Sequence, residues 1–196
     1  MQVKALLLCV AVAAALNVNL SAAEQPGVPK GWTLSPDGLA HYQVGYSPAR
    51  EASYLRAQSA PDKALGALYQ AIEAPGNSAG KLLTVEAEVL VEKDATTAML
   101  FFRCRTDKAQ PRSFSSVKPS GKWETVKASM ISDEQNRIEN CDFGLAMLGN
   151  GEAWVRNMRF SVTTPKPDHP SRRMPNLSSL PVLVSKAQPE NLELRP

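Results

Sequence analysis

The sequence predicts an all-β fold of antiparallel strands, and two patterns carry that prediction. Residues 82–92 alternate in character: one parity is apolar and most of the other is polar. The apolar set is Leu83, Val85, Ala87, Val89 and Val91, and the polar set is Thr84, Glu86, Glu88 and Glu92. One buried and one wet face are typical of an antiparallel sheet. Further short strand patterns, separated by turn signals, have the spacing expected of a sandwich or barrel.

The candidate strands in chain order are residues 40–46, 53–59, 82–92, 97–105, 122–130, 138–148 and 152–162. Residues 64–73 are ambiguous, because helix formers stand there between a Pro-Asp pair and a Pro-Gly pair. Intrinsic propensity alone favours a helix for this segment.

The last two candidate strands form a hairpin around Gly149-Asn150-Gly151, whose residues tolerate a turn. Apolar side chains alternate on both sides of the turn, and we interpret them as one inward series: Phe143, Leu145, Met147, Trp154, Met158, Phe160 and Val162. Arg156 interrupts this series. A β-bulge that turns the cation outward accounts for the interruption, and Trp154 is then a packing residue.

The first 23 residues have the pattern of a secretory signal peptide. Lys4 precedes an apolar run over residues 5–16, and small residues lead to a cleavage site after Ala23. The run is shorter than the roughly 20 residues of a membrane span, and no later stretch approaches that length. We therefore expect a periplasmic or secreted protein with no membrane span.

Charge argues against a nucleic-acid partner. Removal of residues 1–23 takes away one cation and leaves 21 basic and 19 acidic side chains, evenly interleaved. Nucleic-acid binding requires a basic patch or stripe.

Cys104 and Cys141 are the cysteines that remain after cleavage. An even pair in an exported chain predicts a disulfide, with two separate buried thiols as the alternative. The chain has no Cys-x-x-Cys motif and no histidine near either cysteine in sequence, so the sequence does not indicate thiol catalysis.

Composition divides the mature chain near Thr164-Pro165. Residues 24–164 carry the strand patterns, whereas residues 165–196 hold seven of the 15 prolines and no long periodic run. We predict one domain followed by an extended, proline-rich tail. Residues 180–184 of the tail either dock on their own domain, which we favour, or contact another protein.

Motifs for catalysis and metal binding are weak. Ser78 lies in a Gly-x-Ser-x-Gly pattern, but a strand pattern follows it where a serine hydrolase has a helix. Glu86 and Glu88 share a strand face, which is the usual arrangement of a solvated face. His41 and His169 stand apart, and an acidic group over residues 133–142 is a weak calcium candidate. We predict no catalytic residues, no metal and no cofactor.

Several segments together resemble the jelly-roll sandwiches of the galactose-binding-like superfamily. They are Gly31-Trp32, ALYQAI (67–72), GKLLTVEA (80–87), AMLFFR (98–103), GKWETV (121–126), FGLA (143–146) and GNGEAWV (149–155). That superfamily includes carbohydrate-binding modules and a similar domain appended to some bacterial helix-turn-helix regulators. The resemblance spans about residues 31–162 and implies an antiparallel jelly-roll β-sandwich.

The resemblance also implies a strand for residues 67–73, since such domains place a strand ending in Gln before the Gly-Lys turn. Relatives often read Trp-x-Asp-Asp where this chain has Trp154-Val155-Arg156-Asn157. We therefore do not expect structural calcium.

These observations predict an exported, non-catalytic module that binds a saccharide or another envelope component. Aromatic rings pack against the C–H groups of sugars, and neighbouring polar side chains hydrogen-bond to sugar hydroxyls. The candidate ligand-binding residues are Tyr42, Tyr46, Tyr54, Arg103 and Arg105. The alternative is a protein-interaction or assembly module that uses residues 165–196, and a less favoured one is a hydrolase that uses Ser78 or the glutamates.

Overall fold

The computed structural model of the chain describes residues 23–59, 63–74, 76, 78–92, 94–106, 110–132, 137–166 and 183–196. The predicted signal peptide, apart from Ala23, and tail residues 167–182 lie outside the described residues, so those predictions stay predictions.

Two antiparallel sheets pack face to face within the described part of the chain. The six-stranded sheet has the order β1-β3-β4-β11-β6-β9, and the five-stranded sheet has the order β2-β5-β10-β7-β8. The strands of the first are β1 (Gln25–Pro26), β3 (Tyr42–Ser47), β4 (Ala52–Ala57), β6 (Leu82–Val91), β9 (Trp123–Ile131) and β11 (Glu152–Thr163). Those of the second are β2 (Thr33–Leu34), β5 (Leu65–Glu73), β7 (Thr97–Thr106), β8 (Arg112–Val117) and β10 (Ile138–Leu148). The predicted all-β sandwich is confirmed.

The main core lies between the sheets and follows the predicted alternation. In β6, Val85, Ala87 and Val89 are at most 1% exposed and belong to this core. Phe143 of β10 stacks on Phe160 of β11, with ring centroids 5.7 Å apart, and so joins the two sheets. Because successive side chains of a strand point to opposite faces, the residues of the other parity form the outer faces of the sandwich.

The ambiguous segment is a strand, as the resemblance implied. β5 pairs with β10 over nine residues, from Leu65 opposite Leu148 to Glu73 opposite Asn140. Leu68 faces the main core, while Tyr69 packs in a second cluster on the outer face, and both are fully buried. Burial on both faces removes the apolar–polar alternation, which explains why the local pattern resembled a helix.

Three short elements and one longer strand had no signal in the sequence patterns. The helix α1 (Pro36–His41) has Ser35 as its N-cap, whose side chain accepts a hydrogen bond from Gly38 N. β1 and β2 have two residues each, and β8 is the edge strand beside β7. Elements this short are decided by tertiary contacts and have little periodicity of their own.

Residues 183–196, which we call the C-terminal segment, pack on the sandwich. Lys186 forms a parallel bridge with Ile72 on the side of β5 where β2 pairs, beyond the residues that β2 covers. Leu194 is fully buried in the main core, and its carbonyl oxygen accepts a hydrogen bond from the Ser53 hydroxyl of β4. This part of the tail therefore docks on its own domain. Val184, in contrast, is 94% exposed.

No helix among the described residues is long and apolar enough to cross a membrane.

Candidate functional site

The outer face of the six-stranded sheet carries a layer of aromatic rings under arginines, which we call the arginine–aromatic face. Its rings are Tyr54, Trp123 and Trp154, and its arginines are Arg50, Arg56 and Arg156. Sheet register assembles it: Trp154 lies opposite Tyr54 on one side and Leu90 on the other, and Leu90 lies opposite Trp123.

A β-bulge in β11 places Trp154 on this face. The pairing of β11 with β6 shifts between Arg156 and Arg159, and Asn157 has a positive φ of 51°. Before the shift, Ala153 and Val155 face the main core and Trp154 faces outward. After it, Met158 and Phe160 pack on the core.

The predicted bulge at Arg156 is therefore present, but the predicted single inward series is wrong. An extra residue reverses the parity of a strand, so Trp154 and Met158 lie on opposite faces. Trp154 does pack, as expected, and is 2% exposed, but it packs in the outer cluster. Its ring centroid lies 5.1 Å from that of Tyr54.

Each ring is covered by a guanidinium. The Cζ atom of Arg50 lies 4.3 Å from the ring centroid of Trp154, that of Arg56 lies 4.5 Å from Tyr54, and that of Arg156 lies 4.2 Å from Trp123. A cation over an aromatic face within about 6 Å is attracted by the ring quadrupole. The three stacks give the face a repeated structure of flat, apolar and cationic groups.

Glutamates hold the arginines in place. Arg50 pairs with Glu92 at 3.0 Å, and Arg156 Nε donates to Glu88 at 2.6 Å. Arg56 lies between two carboxylates, Glu152 at 2.5 Å and Glu24 at 3.0 Å. The hydrogen bond from Arg56 lowers the pKa of Glu24, and that from Arg156 lowers the pKa of Glu88. Both carboxylates are therefore ionised at neutral pH.

Three adjacent clefts open on this face. The first, of about 710 Å³, is lined by Arg50, Arg56, Glu92, Glu152 and Trp154 among others. The second, of about 460 Å³, lies over Leu90 and Trp123 between Arg50 and Arg156. The third, of about 240 Å³, lies between Arg156 and Arg195. Guanidinium donors, carboxylate acceptors and ring surfaces thus border the same open space.

The structure places one of the five predicted ligand-binding residues on this face, namely Tyr54. Tyr42 lies in the main core, where its hydroxyl is 2.7 Å from the Gly149 carbonyl oxygen and 2.9 Å from that of Ala64. Tyr46 is 8% exposed and sits in β3 opposite Gln25 and Ser53. The sequence patterns did not select Arg50, Arg56 or Trp123 for binding, and the interrupted series at Arg156 was the one local signal.

Arg103 and Arg105 lie on the other sheet, away from the arginine–aromatic face. Arg103 of β7 faces Asp142 of β10, and both side chains are 5% exposed and ion-paired. Burial raises the pKa of Asp142 against the lowering effect of Arg103 and, more weakly, Arg105. The five predicted residues are therefore not brought together in one site.

The disulfide between Cys104 and Cys141 is confirmed. The two residues are direct cross-strand partners on β7 and β10. The bond lies on the core side, beneath the Arg103–Asp142 pair, and ties the centre of the five-stranded sheet together.

Of the residues considered for catalysis, Glu86 and Glu88 are ion-paired and Ser78 is largely buried. Ser78 is 8% exposed, and its carbonyl oxygen accepts a hydrogen bond from the Ser132 hydroxyl. Glu86 pairs with Lys127 at 2.5 Å, while Glu88 is held by Arg156. The described residues contain no group of three or more His, Cys, Asp or Glu side chains that could hold a metal ion.

No protein-family model matches the chain, and no curated protein matches it either. Among solved structures, the enzymatically active domain of tailspike protein 4 from bacteriophage CBA120 is similar, with 12% identity and a TM-score of 0.53 over 68% of this chain. A structure titled "CBM4 structure and function" is similar over 67% of this chain, with 12% identity and a TM-score of 0.50. The chain covers 19% of the tailspike chain and 86% of the CBM4 chain. The chain thus shares its β-sandwich fold with these two structures, and the likeness concerns the fold alone.

Proposed function

We propose that the protein is a saccharide-binding module and that the arginine–aromatic face is its binding surface. The observation that carries this proposal is the second cleft, which is lined by half-buried Trp123, by Arg156 stacked over that ring at 4.2 Å, and by Arg50. The jelly-roll fold shared with a carbohydrate-binding module supports the same reading.

The chemistry of the face suits a sugar. Arg50 donates one hydrogen bond to a described residue, Glu92, although a guanidinium has five N–H donors. Arg156 donates from Nε to Glu88 and from Nη1 to the Arg50 carbonyl oxygen. The remaining N–H groups of these two arginines are available to sugar hydroxyls. Half-buried Trp123 is the ring available to sugar C–H groups, since Tyr54 and Trp154 are at most 2% exposed.

The proposed setting is the periplasm or the cell exterior. The signal-peptide pattern supports export, and the cross-strand disulfide suits an oxidising compartment. We further propose that the module is non-catalytic, since Glu86 and Glu88 are held in ion pairs and Ser78 is 8% exposed. We therefore expect no hydrolytic activity, and none for Ser78→Ala or Glu86→Gln to remove.

A glycan array and a pull-down on insoluble polysaccharides test the proposal with residues 24–196. We expect retention on at least one saccharide and its loss in Trp123→Ala. Lys127→Ala is the matched control, because Lys127 lies further along the same outer strand face and is well exposed. If the unsubstituted protein is retained on no sugar, the proposal is wrong.

The alternative function, protein binding through residues 165–196, is constrained by the fold. The C-terminal segment is held by the sandwich, so it would have to leave its site, or residues 165–182 would have to make the contact. Removal of residues 183–196 without loss of partner capture from an envelope extract would contradict use of that segment.

A further inference from the structure

The three clefts on the arginine–aromatic face are adjacent, because neighbouring clefts share lining residues, and together we call them the groove. The first and second clefts share Arg50 and Glu92. The second and third share Glu51 and Arg156. The groove therefore follows β11 from Glu152 to Asn157, a distance of roughly 17 Å at the usual rise of a strand.

The C-terminal segment contributes side chains to the third cleft, at the Asn157 end of the groove. Glu193 and Arg195 line the third cleft together with Arg156 and Asn157. These two side chains form an ion pair of 2.9 Å and are more than half exposed. Both side chains line the third cleft, and their polar ends are open to solvent apart from the contact with each other.

The backbone beneath these side chains is fixed from two sides. Leu194 is inserted in the main core, and Met158 N donates to the Leu192 carbonyl oxygen at 3.2 Å. Arg195 N donates to Asn191 Oδ1 at 3.0 Å. The C-terminal segment thus packs against β11 next to the bulge, and this places Glu193 and Arg195 beside Arg156.

We infer that the groove binds an extended saccharide chain along its length, and that Glu193 and Arg195 form its terminal subsite. This inference rests on the proposed saccharide-binding function. A span of roughly 17 Å exceeds a single sugar ring. The floor changes along it, from Trp154 and Trp123 in the first two clefts to polar side chains alone in the third. Half-buried Trp123 contacts sugar rings of the chain, and Glu193 and Arg195 hydrogen-bond to hydroxyls at its end.

Calorimetric titration with xylo-, cello- and β-1,4-galacto-oligosaccharides of two and six residues tests this inference. The six-residue form of the bound sugar should bind about 10-fold more tightly than the two-residue form, since it adds contacts. Arg195→Ala should weaken binding of the six-residue form about 2- to 10-fold, the range of one hydrogen bond, and leave the two-residue form unchanged. Trp123→Ala should weaken both.

Arg159→Ala is the matched control, because Arg159 follows the bulge on β11 and lines none of the three clefts. It should leave both affinities unchanged. Equal affinity for the two lengths, or unchanged affinity of Arg195→Ala for the longer one, would overturn the inference and leave the proposed function intact. Absence of binding by every oligosaccharide, together with no retention on any glycan, would overturn both.

Discussion

Gln70 and Glu190 form a reciprocal pair of hydrogen bonds between β5 and the C-terminal segment. Gln70 Nε2 donates to the Glu190 carbonyl oxygen, and Glu190 N donates to Gln70 Oε1, both at 3.0 Å. A side-chain amide thus pairs with a peptide group as a neighbouring strand would. Trp32 Nε1 also donates to the Asn191 carbonyl oxygen at 3.0 Å, so the segment closes one end of the sandwich.

Leu194→Ala should lower the free energy of unfolding by about 2 to 5 kcal/mol, because the change leaves a cavity in the main core. Leu194 is fully buried there. Urea denaturation followed by tryptophan fluorescence measures the change. Val184→Ala is the control within the same segment, since Val184 is 94% exposed and should cost nothing measurable. Similar stability of the two variants would contradict docking of the segment.

Gly144→Ala should destabilise the protein by about 3 kcal/mol, the upper end of the range typical of an overpacked core. A Cβ atom at Gly144 would overlap the Leu68 carbonyl oxygen and lie 2.7 Å from Tyr69 Cα. These are backbone atoms of β5, which cannot move without breaking the pairing with β10.

Gly76→Ala provides the comparison for this variant, because a Cβ there meets no heavy atom within 4 Å. It should keep the unfolding midpoint of the unsubstituted protein in the same urea titration. A folded Gly144→Ala protein with an unchanged midpoint would show that β5 and β10 are not packed as described.

Replacement of both cysteines by alanine should cost about 3 to 4 kcal/mol on the loop-entropy model. The bond closes a loop between residues separated by 37 positions. Non-reducing peptide mapping should recover the Cys104–Cys141 peptide pair, and denaturation with and without reductant should give the same difference as the double variant. Recovery of two free thiols from the exported protein would refute the bond.

Acidification should weaken the arginine–aromatic face. The pKa of Glu88 is lower in the folded protein than in the unfolded chain because Arg156 donates a hydrogen bond to it. The ionised carboxylate therefore stabilises the fold above the unfolded pKa, and this contribution disappears as the pH falls through the folded pKa. For a pair whose side chains are 30% and 33% exposed it amounts to about 0.2 to 1 kcal/mol.

Thermal unfolding of the unsubstituted protein and of Glu88→Gln, followed from about pH 6 to about pH 3, measures this contribution. The protein should be more stable than the variant at the upper pH, and the difference should shrink toward the lower one. A difference that grows on acidification would contradict the assigned ion pair.

Much of the fold was predictable because strand alternation is local. The pattern over residues 82–92 and the hairpin around Gly149-Asn150-Gly151 predicted β6, β10 and β11 within about one residue, and the cysteine pair predicted the disulfide. β5 needed the resemblance as well, because burial on both faces removed its alternation.

The candidate site was much less predictable. Its residues come from a turn and from four strands, β4, β6, β9 and β11, whose order in the sheet differs from their order in the chain. Arg50 and Trp154 are far apart in sequence, and the pairing of β4 with β11 brings the turn that carries Arg50 within stacking distance of the Trp154 ring.

The sequence by itself determined the alternating strands, the hairpin, the cysteine pair and the presence of an irregularity at Arg156. Only the tertiary structure decided which face Trp154 occupies, which arginines cover the rings, and where residues 183–196 lie. The physical reason is that a strand pattern specifies that two faces exist. What covers each face depends on sheet order, on the parity change at one bulge, and on contacts between residues distant in the chain.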